Sequence, residues 1–289
     1  MAVFYNQASL SYNGNVALSN IITGEIIETL TASKEAVDDQ YTAGSDTSFV
    51  ISIVNSVATG FTDLTVTDDL GRYTFGDAGA EVVPLTYSDG SVKYYINGIQ
   101  QAAPTVASTD PLTLNGISVP AGGNVLIIYE ASVNSFAPFG VGASITNNVD
   151  VSSNARAVLA TASTTITPEE NAELSITKAL SPTAVQDGGE LTYTFVISNS
   201  GSVPVTTSDS VVFNDVFDPA LNITSVTFNG TPWTAGTNYT YTPASGTFTS
   251  TQGQITVPAA EYVQDPNTGA WSVQPGESTL IITGTIASE

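Results

Sequence analysis

The sequence contains one strand-like segment twice, first at the N-terminus and again in the middle of the chain. Residues 3–13 read VFYNQASLSYN and residues 144–154 read SITNNVDVSSN, so that Asn6 aligns with Asn147. Both segments have the two-residue alternation of a β-strand. The mid-chain copy ends a longer repeat, whereas the N-terminal copy has no repeat before it to end. This arrangement predicts that the N-terminal strand completes a domain that does not directly precede it in the chain.

The longer repeat is recognised by spacing as well as by residue type. Four pairs of segments match, at 30–34 and 174–178, 49–56 and 193–200, 64–70 and 211–217, and 119–128 and 273–282. The lysine that ends the first segment precedes the asparagine of the second by the same interval in both repeats. Two tandem domains are therefore expected. The second repeat contains no counterpart of residues 144–154.

The repeats are built from short stretches rich in Val, Ile, Thr, Phe and Tyr, separated by turn signals such as Asn97-Gly98. This pattern predicts an all-β fold of two tandem β-sandwiches. Residues 13–28 are rich in Gly and Asn and are interpreted as a connector, and residues 161–171 lose the apolar alternation of a strand. The predicted divisions are an N-terminal strand (1–15), a first sandwich (16–160), a linker (161–171) and a second sandwich without its final strand (172–289).

Composition excludes several classes of function. The chain has 27 acidic and 5 basic residues, a net charge of -22, which argues against nucleic-acid binding. It has no cysteine or histidine, and so no disulfide, no thiolate or imidazole metal ligand and no Ser-His pair. Acidic loops at 35–39 and 63–69 lack calcium-loop spacing. We expect no enzyme activity, no cofactor, no metal and no membrane span, and no signal peptide is visible.

A set of short motifs resembles a known domain family. They lie at 30–34, 66–68, 145–147, 193–201 and 275–277. In this order they resemble the conserved repeat domain of Gram-positive and archaeal surface proteins, domain of unknown function eleven. The resemblance implies immunoglobulin-like sandwiches of the kind found in stalks and fibres. Size and paired repeats are also similar to the major subunits of ribbon-like appendages on clostridial spores, which implies an extracellular location, with the spore surface as one site.

The candidate chemistry lies at two lysines and two aspartates that occupy equivalent places in the repeats. These are Lys34 and Asp68 in the first repeat and Lys178 and Asp215 in the second. Strand alternation directs Lys34, Asp68 and Asn147 towards the interior of the first sandwich. A buried unpaired charge costs several kcal/mol, so that these side chains need a compensating interaction.

Two interactions satisfy that need. One is a buried Lys34–Asp68 ion pair to which Asn147 donates a hydrogen bond. The other is an isopeptide bond between Lys34 and Asn147, as in bacterial pilin and adhesin sandwiches, with Asp68 acting once as the proton-transferring acid. Asn55 and Asn199 also have inward parity, but each precedes a turn and is the second choice as a bond partner.

The duplicated strand predicts a mode of assembly. Residues 3–12 of one copy are expected to insert into the incomplete second repeat of the next copy. The inward face of this donor strand is formed by Phe4, Asn6, Ala8 and Leu10. Insertion would bring Asn6 to Lys178 and Asp215, which restores the complete set of cross-linking residues from two chains.

The predicted function is a structural subunit of an extracellular or spore-surface filament that polymerises head to tail by donor-strand complementation. Its partner is a second copy of itself, and a surface ligand is unknown. The alternative is an adhesive or carbohydrate-binding tandem module of a surface protein. Four aromatic residues could supply a sugar platform or could pack within the second sandwich, namely Trp233, Trp271, Tyr239 and Tyr241.

Overall fold

A computed structural model describes residues 2–26, 30–77, 79–153 and 156–286. The described residues form 28 β-strands and one short 3-10 helix, Thr207–Asp209. The chain forms two compact units, a first unit of Met1–Asn134 and Ile145–Ile166 and a second unit of Ser135–Ser144 and Thr167–Glu289. The fold is therefore all-β with tandem sandwiches, as predicted. No helix in the described ranges is long and apolar enough to cross a membrane.

The N-terminal segment is a β-hairpin rather than a single strand. Its strands are β1 (Ala2–Asn6), β2 (Ser9–Tyr12), β3 (Asn15–Leu18) and β4 (Ile22–Ile26). β1 pairs with β4 and β2 pairs with β3. The two arms join at Asn13-Gly14, both with positive φ (47° and 80°), as a tight hairpin turn requires. Residues 2–12 are the first arm and residues 15–26 the return arm, so the predicted connector at 13–28 is largely strand.

Two six-stranded sheets form the sandwich of the first unit. The strands are β5 (Leu30–Ala36), β6 (Gln40–Tyr41), β7 (Asp46–Asn55), β8 (Phe61–Asp68), β9 (Tyr73–Phe75), β10 (Ala80–Val82), β11 (Leu85–Tyr87), β12 (Lys93–Ile96), β13 (Ile99–Gln101), β14 (Thr105–Thr109), β15 (Leu112–Val119), β16 (Asn124–Val133), β17 (Ile145–Ser153) and β18 (Arg156–Pro168). One sheet has the order β13-β12-β16-β7-β5, with β11 also on β16, and the other has the order β14-β15-β8-β17-β18-β6. A separate pair is formed by β9 and β10.

The core of the first unit follows from strand alternation. Alternate residues in the middle of β7 and β8 are apolar and fully buried, namely Phe49, Ile51 and Ile53 on β7 and Leu64 and Val66 on β8. Each such side chain contributes about 1.5–3 kcal/mol when it is removed from water. These residues define the inward face of each sheet. A polar side chain with the same parity on these strands therefore also points into the core.

The sheets of the second unit have fewer described strands than those of the first. Its strands are β19 (Leu174–Ser181), β20 (Glu190–Asn199), β21 (Asn214–Val216), β22 (Leu221–Phe228), β23 (Thr231–Pro232), β24 (Tyr239–Thr242), β25 (Thr247–Ser250), β26 (Glu261–Gln264), β27 (Trp271–Gln274) and β28 (Gly276–Ile286). One sheet has the order β19-β20-β28-β22-β23, whereas the other has only β21-β25-β24. β26 and β27 form a hairpin. Among the described strands, β21 pairs with β25 alone.

The division between the units lies inside the predicted linker at 161–171, but residues 161–168 of that segment are strand. Strand β18 continues to Pro168, and its residues 160–166 pair with β17. The division lies after Ile166, which is buried. The small residues in this stretch differ little in hydrophobicity, so the two-residue alternation of the strand is not visible in the sequence. Two signals were present, since Thr favours strands and Ile166 lies on the inward face. The connection between the strands of the two units is therefore shorter than predicted.

Candidate functional site

A lysine and an aspartate meet inside the first unit. Lys34 Nζ lies 2.6 Å from Asp68 Oδ2, and their side chains are 0% and 1% exposed. Lys34 is on β5 and Asp68 on β8, so that the pair joins the two sheets of the sandwich. The ammonium nitrogen also lies 5.2 Å from the ring centroid of Phe49. The structure thus brings together two of the residues that the alternation directed inward.

Burial shifts both members of the pair towards their neutral forms. It lowers the pKa of the Lys34 ammonium, against the opposing effect of the Asp68 carboxylate. It raises the pKa of the Asp68 carboxyl, against the attraction of Lys34. A neutral amine is a nucleophile and a neutral carboxyl is a proton donor. The environment therefore favours the protonation states that amide formation needs.

Tyr129 connects this pair to Asn147. The Tyr129 hydroxyl donates to Asp68 Oδ2 at 2.7 Å, and Asn147 Nδ2 donates to the Tyr129 oxygen at 2.9 Å. Burial raises the pKa of Tyr129 well above its usual value, so the hydroxyl keeps its proton. Asn147 is fully buried, and its Oδ1 has no hydrogen-bond partner among the described residues. The Asn147 side chain is thus connected through the Tyr129 hydroxyl to the carboxyl group that contacts Lys34.

Tyr129 was missed in the sequence analysis, which compared the two repeats for shared residues. Tyr129 pairs with Phe49 and Ile282 pairs with Tyr193, so the second unit has Ile282 at the place of Tyr129. The signal was parity alone, since Tyr129 follows Val125 and Ile127 on the buried face of β16. A tyrosine on a fully buried strand face needs a partner for its hydroxyl.

The second unit contains the equivalent pair in an open setting. Lys178 Nζ lies 2.6 Å from Asp215 Oδ2, but these side chains are 42% and 18% exposed. The ammonium lies over three aromatic rings, with the Tyr193 centroid at 4.6 Å. The distance between the charged atoms is the same as in the first unit, but the pair in the second unit is exposed to solvent.

An open apolar groove lies along the uncovered edge of the second unit. It has a volume of about 180 Å³, and its lining includes Ile176, Ile197, Val212, Phe213 and Ile255. Ile176 on β19 is more than half exposed. In the first unit the strand that pairs with the other edge of β8 is β17, whose inward side chains are buried. The groove therefore lies where a strand equivalent to β17 would pack.

Asn55 and Asn199 hold turns. Asn55 Nδ2 donates to the carbonyl oxygens of Thr59 and Pro120, each at 2.8 Å. Asn199 Nδ2 donates to those of Val203 and Pro258, at 2.8 and 3.0 Å. Both amides are fully committed to backbone partners, which is the turn role predicted for them.

The other candidate ligand sites have packing roles or are not assembled. Tyr239 stacks on Phe248 at 4.8 Å between centroids, and Trp233 stacks on Phe228 at 5.1 Å. The Tyr241 hydroxyl accepts a hydrogen bond from the Leu221 amide. Within the described ranges, no group of three or more acidic side chains is arranged to hold a metal ion.

Comparisons with known proteins give distant similarities. No family model and no curated protein matches the chain. It is similar to the pilus backbone RrgB of Streptococcus pneumoniae, at 12% identity and a TM-score of 0.32, covering 86% of this chain and 54% of that one. It is similar to the collagen-binding domain of a Staphylococcus aureus adhesin, at 11% identity and a TM-score of 0.29, covering 50% and 99%. It is also similar to the type II cohesin dyad of the ScaA scaffoldin of Acetivibrio cellulolyticus, at 9% identity and a TM-score of 0.23, covering 90% and 86%.

Proposed function

We propose that this protein is the structural subunit of an extracellular filament, with the spore surface as one location, in which copies join head to tail. The observation that carries the proposal is the open groove lined by β19, β20 and residues 211–213, because residues 65–66 of the first unit, which correspond to 212–213, pair with β17. The occupant is the N-terminal strand of a second copy. An added strand provides a ladder of main-chain hydrogen bonds, and its alternate side chains fill the groove.

The N-terminal strand has the residues that this groove needs. Its inward residues Phe4, Ala8 and Leu10 correspond to Ile145, Val149 and Val151 of β17. The β17 residues are buried, whereas Phe4 and Leu10 are 51% and 70% exposed in the free subunit. Val149 pairs with Asp68 in the first unit, so the same register places Ala8 opposite Asp215.

The contact joins two different surfaces of the subunit. A heterologous contact of this kind builds an open filament unless the rotation between copies closes a ring. The net charge of -22 gives the subunit surfaces a mutual repulsion that disfavours unspecific association. Polymerisation then depends on the specific strand contact.

We also propose that the first unit closes itself covalently. The Lys34 amine attacks the Asn147 side-chain carbonyl carbon, a C–N bond forms, and the bond to Nδ2 breaks. One proton leaves the lysine nitrogen and passes through Asp68 to the departing nitrogen, which leaves as ammonia. The reaction occurs once in each molecule, so the protein is not an enzyme.

The adhesive or carbohydrate-binding alternative needs aromatic faces that are free for a ligand. Trp233 and Tyr239 instead stack on Phe228 and Phe248 of the second unit. These stacks commit one face of each ring to packing, which favours the filament subunit over a binding module.

Assembly is tested by a charge on the inward face of the first arm. Leu10→Asp is expected to give monomers in sedimentation and no filaments in electron micrographs, because it would place a carboxylate in the apolar groove. The matched control is Ser9→Asp, on the opposite face, where β17 has Asp150. This control is expected to assemble like the wild type. Deletion of residues 2–12 should also give monomers, and filaments that persist after it would refute the proposal.

The tyrosine bridge gives a second prediction. Tyr129→Phe removes the hydroxyl between Asp68 and Asn147, so the cross-link is expected to form more slowly and to remain incomplete when intact mass is followed after refolding. The matched control is Tyr87→Phe, because the buried Tyr87 hydroxyl has no hydrogen-bond partner in the described structure and its ring lies 6.4 Å from Tyr129. Equal rates for the two variants would contradict a role for Tyr129.

A further inference from the structure

The element that closes the first unit is itself a hairpin, formed by β17 and β18. Ser153 pairs with Arg156, and Tyr12 pairs with Asn15 at the corresponding place of the N-terminal hairpin. The likeness between the two segments thus extends past the first arm. Each hairpin also leads within a few residues to a lysine-bearing strand, β5 or β19.

The second strand of the closing hairpin is an interior strand of its sheet. β18 lies between β17 and β6. Ile166 and Pro168 of β18 are buried. The sheet therefore has two adjacent positions between β8 and β6, and both strands of the hairpin are needed to fill them.

The second unit has counterparts of β8 and β6. Its described residues include no strands that correspond to β17 and β18. β21 corresponds to β8. Residues 184–185 correspond to β6, since they follow Lys178 at the interval by which Gln40–Tyr41 follows Lys34. Residues 184–185 are not in a strand, and Val185 is half-buried where Tyr41 is fully buried. Two strand positions are thus open in the second unit.

We propose that the donated element is the whole hairpin, residues 2–26, and that its return arm pairs with residues 184–185 of the acceptor copy. This inference rests on the proposed function. It adds that the return arm of the donated hairpin fills the second open strand position. A single donated strand would leave an interior sheet position empty and another edge without hydrogen bonds, which natural sheets rarely tolerate.

The hairpin has one continuous face suited to this role. Asn6 pairs with Ile22 and Phe4 pairs with Gly24, and directly paired residues lie on the same face. A Cβ atom on Gly24 would lie 2.3 Å from Phe4 Cζ, so the glycine lets the Phe4 ring extend over the return arm. Ile22 is 58% exposed in the free subunit. The apolar surface to be covered therefore spans both arms.

The inference is tested by a charge on the return arm with the first arm intact. Ile22→Asp is expected to abolish filaments, as Leu10→Asp does, whereas Thr23→Asp, on the opposite face, is expected to assemble. If Leu10→Asp blocks assembly and Ile22→Asp assembles as well as Thr23→Asp, donation of the whole hairpin is wrong and donation of the first arm stands. If neither Leu10→Asp nor Ile22→Asp affects assembly, the proposed function itself fails.

Hydrogen exchange separates a docking defect from a hairpin that no longer forms. In wild-type filaments the backbone amides of residues 184–185 are expected to become protected relative to Leu10→Asp monomers, because they gain a strand partner. Unchanged exchange at these amides in filaments would overturn the pairing of the return arm, whatever the result with Ile22→Asp.

Discussion

Leu10→Asp monomers are expected to have an intact mass below the sequence mass by one ammonia, and adding Asp68→Ala is expected to restore the full mass. Monomers are used so that only the bond within the first unit contributes. Asp68 is the hydrogen-bonding partner of Lys34 Nζ in the described structure, and its carboxyl group can carry the lysine proton to the leaving nitrogen. The variant also loses stability, since an unpaired buried lysine costs about 3–5 kcal/mol. Loss of a link that closes a loop of this length costs ~5 kcal/mol more.

Asp68→Asn is the matched variant for this experiment. Its side chain has the shape of aspartate and still accepts a hydrogen bond, but it cannot carry a proton between the two nitrogens. We expect no loss of ammonia from Asp68→Asn, and a higher unfolding temperature than that of Asp68→Ala. A parent protein of full mass, with Lys34 free to be acylated after unfolding, would show that the buried ion pair is the final state.

Wild-type filaments boiled in detergent are expected to leave a ladder of covalent multimers on a denaturing gel. Docking in the register of β17 would give Asn6 the position relative to Lys178 and Asp215 that Asn147 has relative to Lys34 and Asp68. Lys178 is accessible to water in the free subunit, and the donated strand would bury it. The bond should therefore appear only after docking, which makes dissociation of the filament a matter of bond cleavage rather than of equilibrium.

The controls separate docking from bond formation. Asn6→Ala removes the acyl group and Lys178→Arg keeps a positive charge near Asp215 without a nucleophilic amine. Both variants are expected to form filaments that fall to single chains on boiling, while Ser9→Asp filaments give the ladder. Wild-type filaments that fall to single chains would exclude the intermolecular bond and leave strand donation intact.

The sandwiches could be predicted from the sequence because period-two alternation and spacing are local properties. Residues such as Phe49 and Ile51 show their parity directly, and the same parity identified Lys34, Asp68 and Asn147 as inward residues. These predictions needed no knowledge of the partner strand. Burial follows wherever neighbours on the same strand face are apolar.

Other features depend on contacts that the sequence does not display. The return arm was missed because Asn15 and Asn20 look like loop residues, whereas Asn15 pairs across a hairpin turn. Strand β18 was mistaken in part for a linker because its Thr, Ser and Ala residues lack hydrophobic contrast. The exposure of Lys178 results from a strand that the described second unit does not contain, so parity could not predict it.

The positions of the proposed bonds determine how a pulled filament would distribute tension. In the first unit Lys34 lies on the first strand of the sandwich and Asn147 on the hairpin that leads to the second unit. A force that enters at Leu30 would run to Lys34, cross the amide to Asn147 and leave along β18. Residues 35–146 would then lie outside the loaded path. Residues 35–146 would stay folded under tension, and residues 148–168 of the hairpin would carry the load.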